Sequence, residues 1–259
     1  MSDTLRRVSI VMPAYNAEHT LEESIQSVVA QTWPHWKLLL VVDRNSSDRT
    51  RDIAEAAAGR EPRIQLITDL PQGGCVYNRN HAITQACGDF LAFLDSDDIW
   101  LPEKLARQVD FMEATGCDLS YTGYARMDWH GNRLPQVISP PPRLTYDDLL
   151  NDNLLGCLTS MIRLSRFPRV EFVDFLHEDF ILWLRLLRET VAQGIPDTLA
   201  VYRMAPHSRS GNKLRAAHAR WRILREFEHL PLRRALPCFA RYAIGALCRR
   251  SSLGPAEKP

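Results

Sequence analysis

The chain has no CxxC pair, no apolar run long enough for a signal peptide or a membrane span, and almost no net charge. Each absence removes a class of protein. Its six cysteines, Cys75, Cys87, Cys117, Cys157, Cys238 and Cys248, are scattered through apolar segments. That excludes a zinc ribbon or a disulfide scaffold and suits reduced, mostly buried thiols, so a cytoplasmic location is expected. The opening MSDTLRRVSIVMPAYN carries too short an apolar stretch for a secretory leader, and a spanning helix needs about 20 apolar residues. A net charge of +1 provides no overall attraction to nucleic acid. Internal repeats and low-complexity segments are missing too. What remains is a globular chain of 259 residues, 45% hydrophobic and 24% charged, enough for one large α/β domain or two small ones.

The first hundred residues alternate strand and helix. VSIVMP (8–13) is a β-branched run, and Asn16 is placed to cap a helix over 17–31 whose Leu21, Ile25, Val28 and Val29 share a face. KLLLVVD (37–43) is a near-continuous apolar run of the kind buried on both faces of a sheet. Ser47 or Asp48 opens a helix that ends at Gly59. RIQLIT (63–68) is a third strand, CVYNRNHAITQAC (75–87) a helix, and DFLAFLD (89–95) a fourth strand. Repeated β-α-β units imply a mostly parallel, doubly wound sheet. The second half reads differently: a strand, turn and return over 118–134, a stiff SPPPR connector, and a short helix over 146–152. A strand at 157–165, a helix at 178–189 and a strand at 197–204 complete it. Residues 213–249 read as helix interrupted by Pro231 and Pro237.

The stretch FLAFLDSDDIWLP (90–102) runs a strand straight into Asp95, Asp97 and Asp98. Three like charges beside a buried strand are costly to desolvate. They are tolerated if a cation sits there, or if they form a solvated turn in which Asp98 and Pro102 start the next helix. Open α/β sheets bind ligands beyond the carboxyl ends of their strands. Asp43, Asp95, Pro13, Tyr15 and Asn16 all fall at that edge, which favours a cation or nucleotide site over the turn alone.

Six ordered segments, VSIVMPAYN, VVDRNSSDRT, GGCVYNRNHAI, GDFLAFLDSDD, LHEDFILWLRL and YRMAPHSRSGNK, together resemble the family 2 glycosyltransferases. These are inverting enzymes of the GT-A type with a Rossmann-like nucleotide-diphospho-sugar transferase fold. The last segment and the helix after it resemble bacterial members that build cell-envelope polysaccharide. The resemblance implies a nucleotide-diphospho-sugar donor, a glycan or lipid-linked acceptor, and Mn²⁺ or Mg²⁺ held by Asp97 with Asp95. It implies that Pro13 and Tyr15 hold the nucleoside, Asp43 reads base or ribose, Arg79 faces the diphosphate and Asp95 contacts donor or ion. Asp179 becomes the general base, supported by Glu178. Arg44-Asn45 stands where the family has a second Asp, and a guanidinium cannot accept the imide proton of uracil, so a uridine donor does not follow. Trp183 could stack on a sugar but reads more readily as core, and His207, Ser208 and Ser210 are similar to part of a loop over the donor.

The expected layout is a catalytic domain over 1–212, with a nucleotide-binding half to about residue 117 and an acceptor half from 118, followed by a basic helical tail over 213–259. Residues 213–250 hold ten Lys and Arg against two Glu. Such a tail suits peripheral contact with an anionic membrane, or packing on the domain or on a second subunit. Two competing readings stand beside the transferase: a degenerate protein that binds sugar nucleotides without turnover, and a DxD phosphatase forming an aspartyl-phosphate. Phosphatases of that kind carry the motif on their first strand, whereas here it follows three strand–helix units.

Overall fold

The computed structural model describes residues 6–204 and 213–251. Strand β1 (Val8–Ala14) leads to α1 (Leu21–Val29), β2 (Trp36–Val42), α2 (Thr50–Arg60), β3 (Ile64–Ile67), α3 (Cys75–Thr84) and β4 (Phe90–Phe93). These four strands pair in parallel in the order β3-β2-β1-β4. The chain moves outward from β1 to β3 and then returns to the other side of β1. That reversal places the topological switch point, where such sheets open a crevice, between the ends of β1 and β4.

Beyond β4 the sheet becomes mixed. A short β5 (Ile99–Trp100), α4 (Lys104–Thr115), β6 (Leu119–Met127), β7 (Arg133–Ile138), β8 (Arg143–Leu144) and α5 (Tyr146–Asn151) come next. A single 3₁₀ turn (Cys157–Thr159) then precedes β9 (Ser160–Arg163), α6 (Glu178–Leu187) and β10 (Ala192–Arg203). β9 is antiparallel to both β4 and β6, and β10 runs parallel to β6 but antiparallel to β5. The sheet thus joins a parallel half to a mixed half through β9. Two apolar layers flank it, one including Leu21, Ile25, Trp100 and Leu105, the other Phe93, Phe180, Trp183 and Leu187.

Several local expectations are corrected. Asn16 does not cap α1; it sits in the left-handed region at φ 45, and its Oδ1 accepts the backbone N–H of Ser47 at 2.9 Å, pinning the loop after β1 to the loop after β2. Helix α1 starts four residues later, where Thr20 donates to the Ser96 carbonyl at 2.8 Å. α2 starts at Thr50 and runs through Gly59. Its approach is held by Asp48, which accepts the Thr50 and Glu18 N–H groups, each at 3.0 Å. Pro231 does break the C-terminal helices, whereas Pro237 lies inside α8 (Leu232–Ser251).

That helix follows α7 (Lys213–Arg222) and a π-helical turn (Ile223–Phe227). Ile223, Leu224, Leu230, Ala235 and Cys238 are buried in the same apolar layer as Phe180 and Trp183. Arg220 is 3% exposed. Its guanidinium stacks 3.6 Å from the Phe180 ring and donates to the carbonyls of Leu149 and Leu150. Burial depresses its pKa to about 10. Among the described residues no helix is long and apolar enough to cross a membrane, and five cysteines are free thiols.

Candidate active site

The switch point gathers most of the residues expected from the sequence. Pro13, near the end of β1, is buried, and Tyr15, just after the strand, is 59% exposed. Asp43 follows β2, where its N–H bonds the Ala14 carbonyl at 2.8 Å, so both loops leave the sheet side by side. The Asp43 side chain does not cap α2. It accepts from Gly74 N–H at 2.5 Å, Asn78 Nδ2 at 2.8 Å and Asn45 N–H at 2.8 Å. Burial opposes its ionisation, but these donors outweigh it and hold the carboxyl below its usual value. The close approach needs glycine at 73, because a Cβ there would lie 2.1 Å from Asn45 Nδ2 and 2.6 Å from Asp43 Oδ1. Arg44 turns to the Pro71 carbonyl.

Arg79, on the buried side of α3, joins the two halves of the sheet. Its guanidinium is 2.5 Å from Asp95 Oδ1 and 3.0 Å from Glu178 Oε1. Burial works against the cation, yet Asp95 foremost, and Glu178 with it, hold it firmly protonated. The carboxylates after β4 and those opening α6 therefore share one counter-charge.

Each acidic residue after β4 takes a different role. Asp98 is buried and accepts the backbone N–H of Arg203 at 2.8 Å. It anchors β10 to the turn and does not cap α4, which begins at Lys104. The Arg203 guanidinium donates to the Asp97 carbonyl at 2.8 Å and the Trp129 carbonyl at 3.2 Å, and pairs with Glu23. Burial, with Asp97 and Asp95 adding to it, pushes the Asp98 carboxyl well up. Asp97 is raised to about 6 by burial first and by Asp95 second.

Helix α6 begins under strain. His177, its N-cap, adopts φ 67 and ψ 45, a left-handed conformation that a residue with a side chain takes at some cost. The following Glu178 and Asp179 are partly buried. Asp179 accepts the Phe180 N–H at 2.7 Å, while burial, and then Glu178, lift its pKa to about 6. A carboxylate poised there is basic enough to take a proton near neutral pH. Trp183 is fully buried, edge-on to Phe93 at 6.2 Å, so it belongs to the core. His207, Ser208 and Ser210 lie outside the described residues.

Among the described residues no three His, Cys, Asp or Glu side chains gather as a ready-made cage. A divalent ion would take one or two carboxylates here and complete its shell with phosphate oxygens and water, as Mg²⁺ does at nucleotides. Asp95 and Asp97 fit that use. They are oxygen donors at one strand end, and a cation would relieve both the burial of Asp97 and the like charge of Asp95 beside it, the two causes that raise Asp97.

Sequence reasoning missed Arg203, Asn78 and Gly74. Asn78 had a detectable signal, as a polar residue adjacent to Arg79 in a helix facing the sheet. Gly74 acts through its backbone N–H, and Arg203 through its N–H and its guanidinium toward partners distant in sequence, which no local pattern marks.

A parallel half, a cluster of carboxylates at its switch point and a raised carboxylate on the adjoining helix form one candidate site, at the edge where open α/β sheets bind their ligands. Residues 9–169 match the family model "Glycosyl transferase family 2", and the chain belongs to that family of glycosyltransferases. It is 38% identical to the putative teichuronic acid biosynthesis glycosyltransferase TuaG of Bacillus subtilis over 245 residues, covering 94% of this chain and 97% of that one. It is 37% identical to the UDP-Glc:alpha-D-GlcNAc-diphosphoundecaprenol beta-1,3-glucosyltransferase WfgD of Escherichia coli, over 88% of each chain. In fold it is similar to S. aureus TarS in complex with UDP-GlcNAc, with a TM-score of 0.68 at 22% identity. That match covers 85% of this chain but 64% of TarS, so the chain spans less than two thirds of that structure's length. The Pyrobaculum calidifontis mannosyltransferase PcManGT, in complex with GDP-Man and Mn²⁺, aligns over 97% of this chain and 76% of its own, with a TM-score of 0.65 at 17% identity.

Proposed function

We propose that this glycosyltransferase moves a hexose from a uridine-diphosphate donor, with inversion, to a hydroxyl of a lipid-diphosphate-linked saccharide in cell-envelope polysaccharide synthesis. The observation that carries the reading is the Arg79 bridge, which sets the donor-side Asp95 and the acceptor-side Glu178-Asp179 pair around one crevice. The uridine donor and the lipid-linked acceptor are supported by the name of the E. coli relative. Arg44 does not oppose uridine, because its guanidinium is engaged by the Pro71 carbonyl.

In this reading Pro13 and Tyr15 flank the nucleoside, and Asp43, held in place by three donors, accepts from the base or ribose. Arg79 faces the diphosphate while keeping Asp95 oriented. Bound through Asp97 and Asp95, Mn²⁺ or Mg²⁺ would neutralise charge on the departing diphosphate. Asp179 takes the proton of the acceptor hydroxyl as that oxygen bonds to the anomeric carbon. The bond from that carbon to the phosphate oxygen breaks on the opposite face, and its electron pair leaves with the diphosphate. Glu178 keeps Asp179 basic through like charge.

The test is a transfer assay with UDP-glucose and a synthetic GlcNAc-diphospho-lipid, with product anomers assigned by NMR. A β-linked product formed with Mn²⁺ and lost in EDTA is expected. An α-linked product, or full turnover in EDTA, would overturn the inverting or the metal-dependent part respectively.

A further inference from the structure

The geometry points to the outer face of α8 as a docking surface for an anionic lipid bilayer. Leu232, Leu236, Ala240 and Ile244 recur every fourth residue and all are exposed, three of them by more than half. Positions four apart lie on one face of a helix, so these side chains form a stripe. Arg233, Pro237 and Arg241, each one residue further on, are exposed beside it. The opposite face is already used, since Ala235 and Cys238 are buried in the core.

Charge selects the occupant. From residue 229 to residue 256 the chain has five arginines and no Asp or Glu. Next to the stripe, Arg233, Arg234 and Arg241 line a shallow pocket of about 260 Å³ between α5 and α8. Asp147 holds Arg234 at 2.7 Å and Asn151 holds Arg241 at 3.1 Å, so two of the three guanidiniums are positioned in advance. A leucine stripe flanked by arginines matches the boundary between acyl chains and phosphate headgroups. A second copy of the chain fits poorly, because a two-fold contact through this face would oppose arginine to arginine with no acid on the helix to answer it.

The proposed lipid-linked acceptor gives this surface its purpose, and the inference rests on that reading for purpose alone. Vesicle binding is therefore measured on the full chain without donor or acceptor, so that it succeeds or fails separately from transfer. Co-sedimentation would compare vesicles of phosphatidylglycerol and phosphatidylcholine with vesicles of phosphatidylcholine alone. At low salt the parent should bind the anionic vesicles at least tenfold more tightly and release them in high salt. Leu232→Glu/Leu236→Glu and Arg233→Glu/Arg241→Glu should each lose tenfold or more, with thermal stabilisation by UDP unchanged. Equal binding to both vesicle types, absence of binding, or a dimer in light scattering that Leu232→Glu/Leu236→Glu abolishes while vesicle binding persists would overturn it.

Discussion

Arg79 and Glu178, 99 positions apart in the chain, meet in a 3.0 Å ion pair that ties α3 to α6. The same guanidinium holds Asp95, so replacing it by Met removes the counter-charge that the two carboxylates share. Breaking a buried pair costs roughly 3–5 kcal/mol, and partial exposure of Asp95 argues for the low end. Urea unfolding of Arg79→Met should show a loss of about 3 kcal/mol, with part recovered in Arg79→Met/Glu178→Gln. No recovery in the double variant would mean that the loss comes from packing alone.

Asp97→Ala should remove metal-dependent binding of UDP while the protein stays folded. Calorimetric titration of UDP with Mn²⁺ and with EDTA distinguishes the outcomes: the parent should differ between the two, and the variant should not.

Asp179→Asn keeps shape and hydrogen bonding but cannot take a proton. kcat should fall roughly 10²–10⁴-fold with UDP affinity retained. A general base works only when deprotonated, and burial with Glu178 raises Asp179 to about 6. Parent kcat at saturating Mn²⁺ should therefore be at its plateau well above pH 6 and fall as pH drops through that value. The residual rate of Asp179→Asn should lack this acid limb.

Gly73→Ala should displace Asn45 and Asp43, since the new Cβ would overlap both. UDP affinity should drop about tenfold, or about 1.4 kcal/mol. Gly59→Ala is the control: a Cβ there meets nothing within 4 Å, so affinity should hold and the helix should gain up to about 1 kcal/mol.

Arg44→Ala should leave preference among UDP, GDP and dTDP within about threefold, as expected for a guanidinium committed to a backbone carbonyl; that range is about half of the roughly 1.4 kcal/mol that a tenfold change represents. Calorimetry with each nucleotide tests this. A large gain for UDP would mean that Arg44 disfavours uracil.

The parallel half was legible because strands buried on both faces read as near-continuous apolar runs, as in Trp36–Val42 and Phe90–Phe93. The carboxylates stood out in the sequence because charge at a buried strand end is costly to desolvate. What escaped reading depended on partners distant in sequence. β5 is two residues long and exists only because Ile99 and Trp100 pair with β10. Nothing in the sequence around Lys104, at the start of α4, signals burial. It is fully buried, 2.6 Å from Gln108 Oε1 and over the Trp100 ring, and burial lowers its pKa to about 7. The role of Asp98 was misread for the same reason, as its partner lies 105 positions away.

The stacking of Arg220 on Phe180 also has a consequence for biosynthesis. Domains tend to fold from the N-terminus as they are made, and the parallel half can pair its four strands early. The layer behind the Asp179 helix is completed only when residues 220–238 have been translated and can fill it. A nascent chain is thus left for an interval with its nucleotide edge assembled and the apolar back of α6 uncovered. That unfinished layer is the surface on which a chaperone would act, and a fusion that hinders α7 from docking should reduce soluble yield before it affects any kinetic constant.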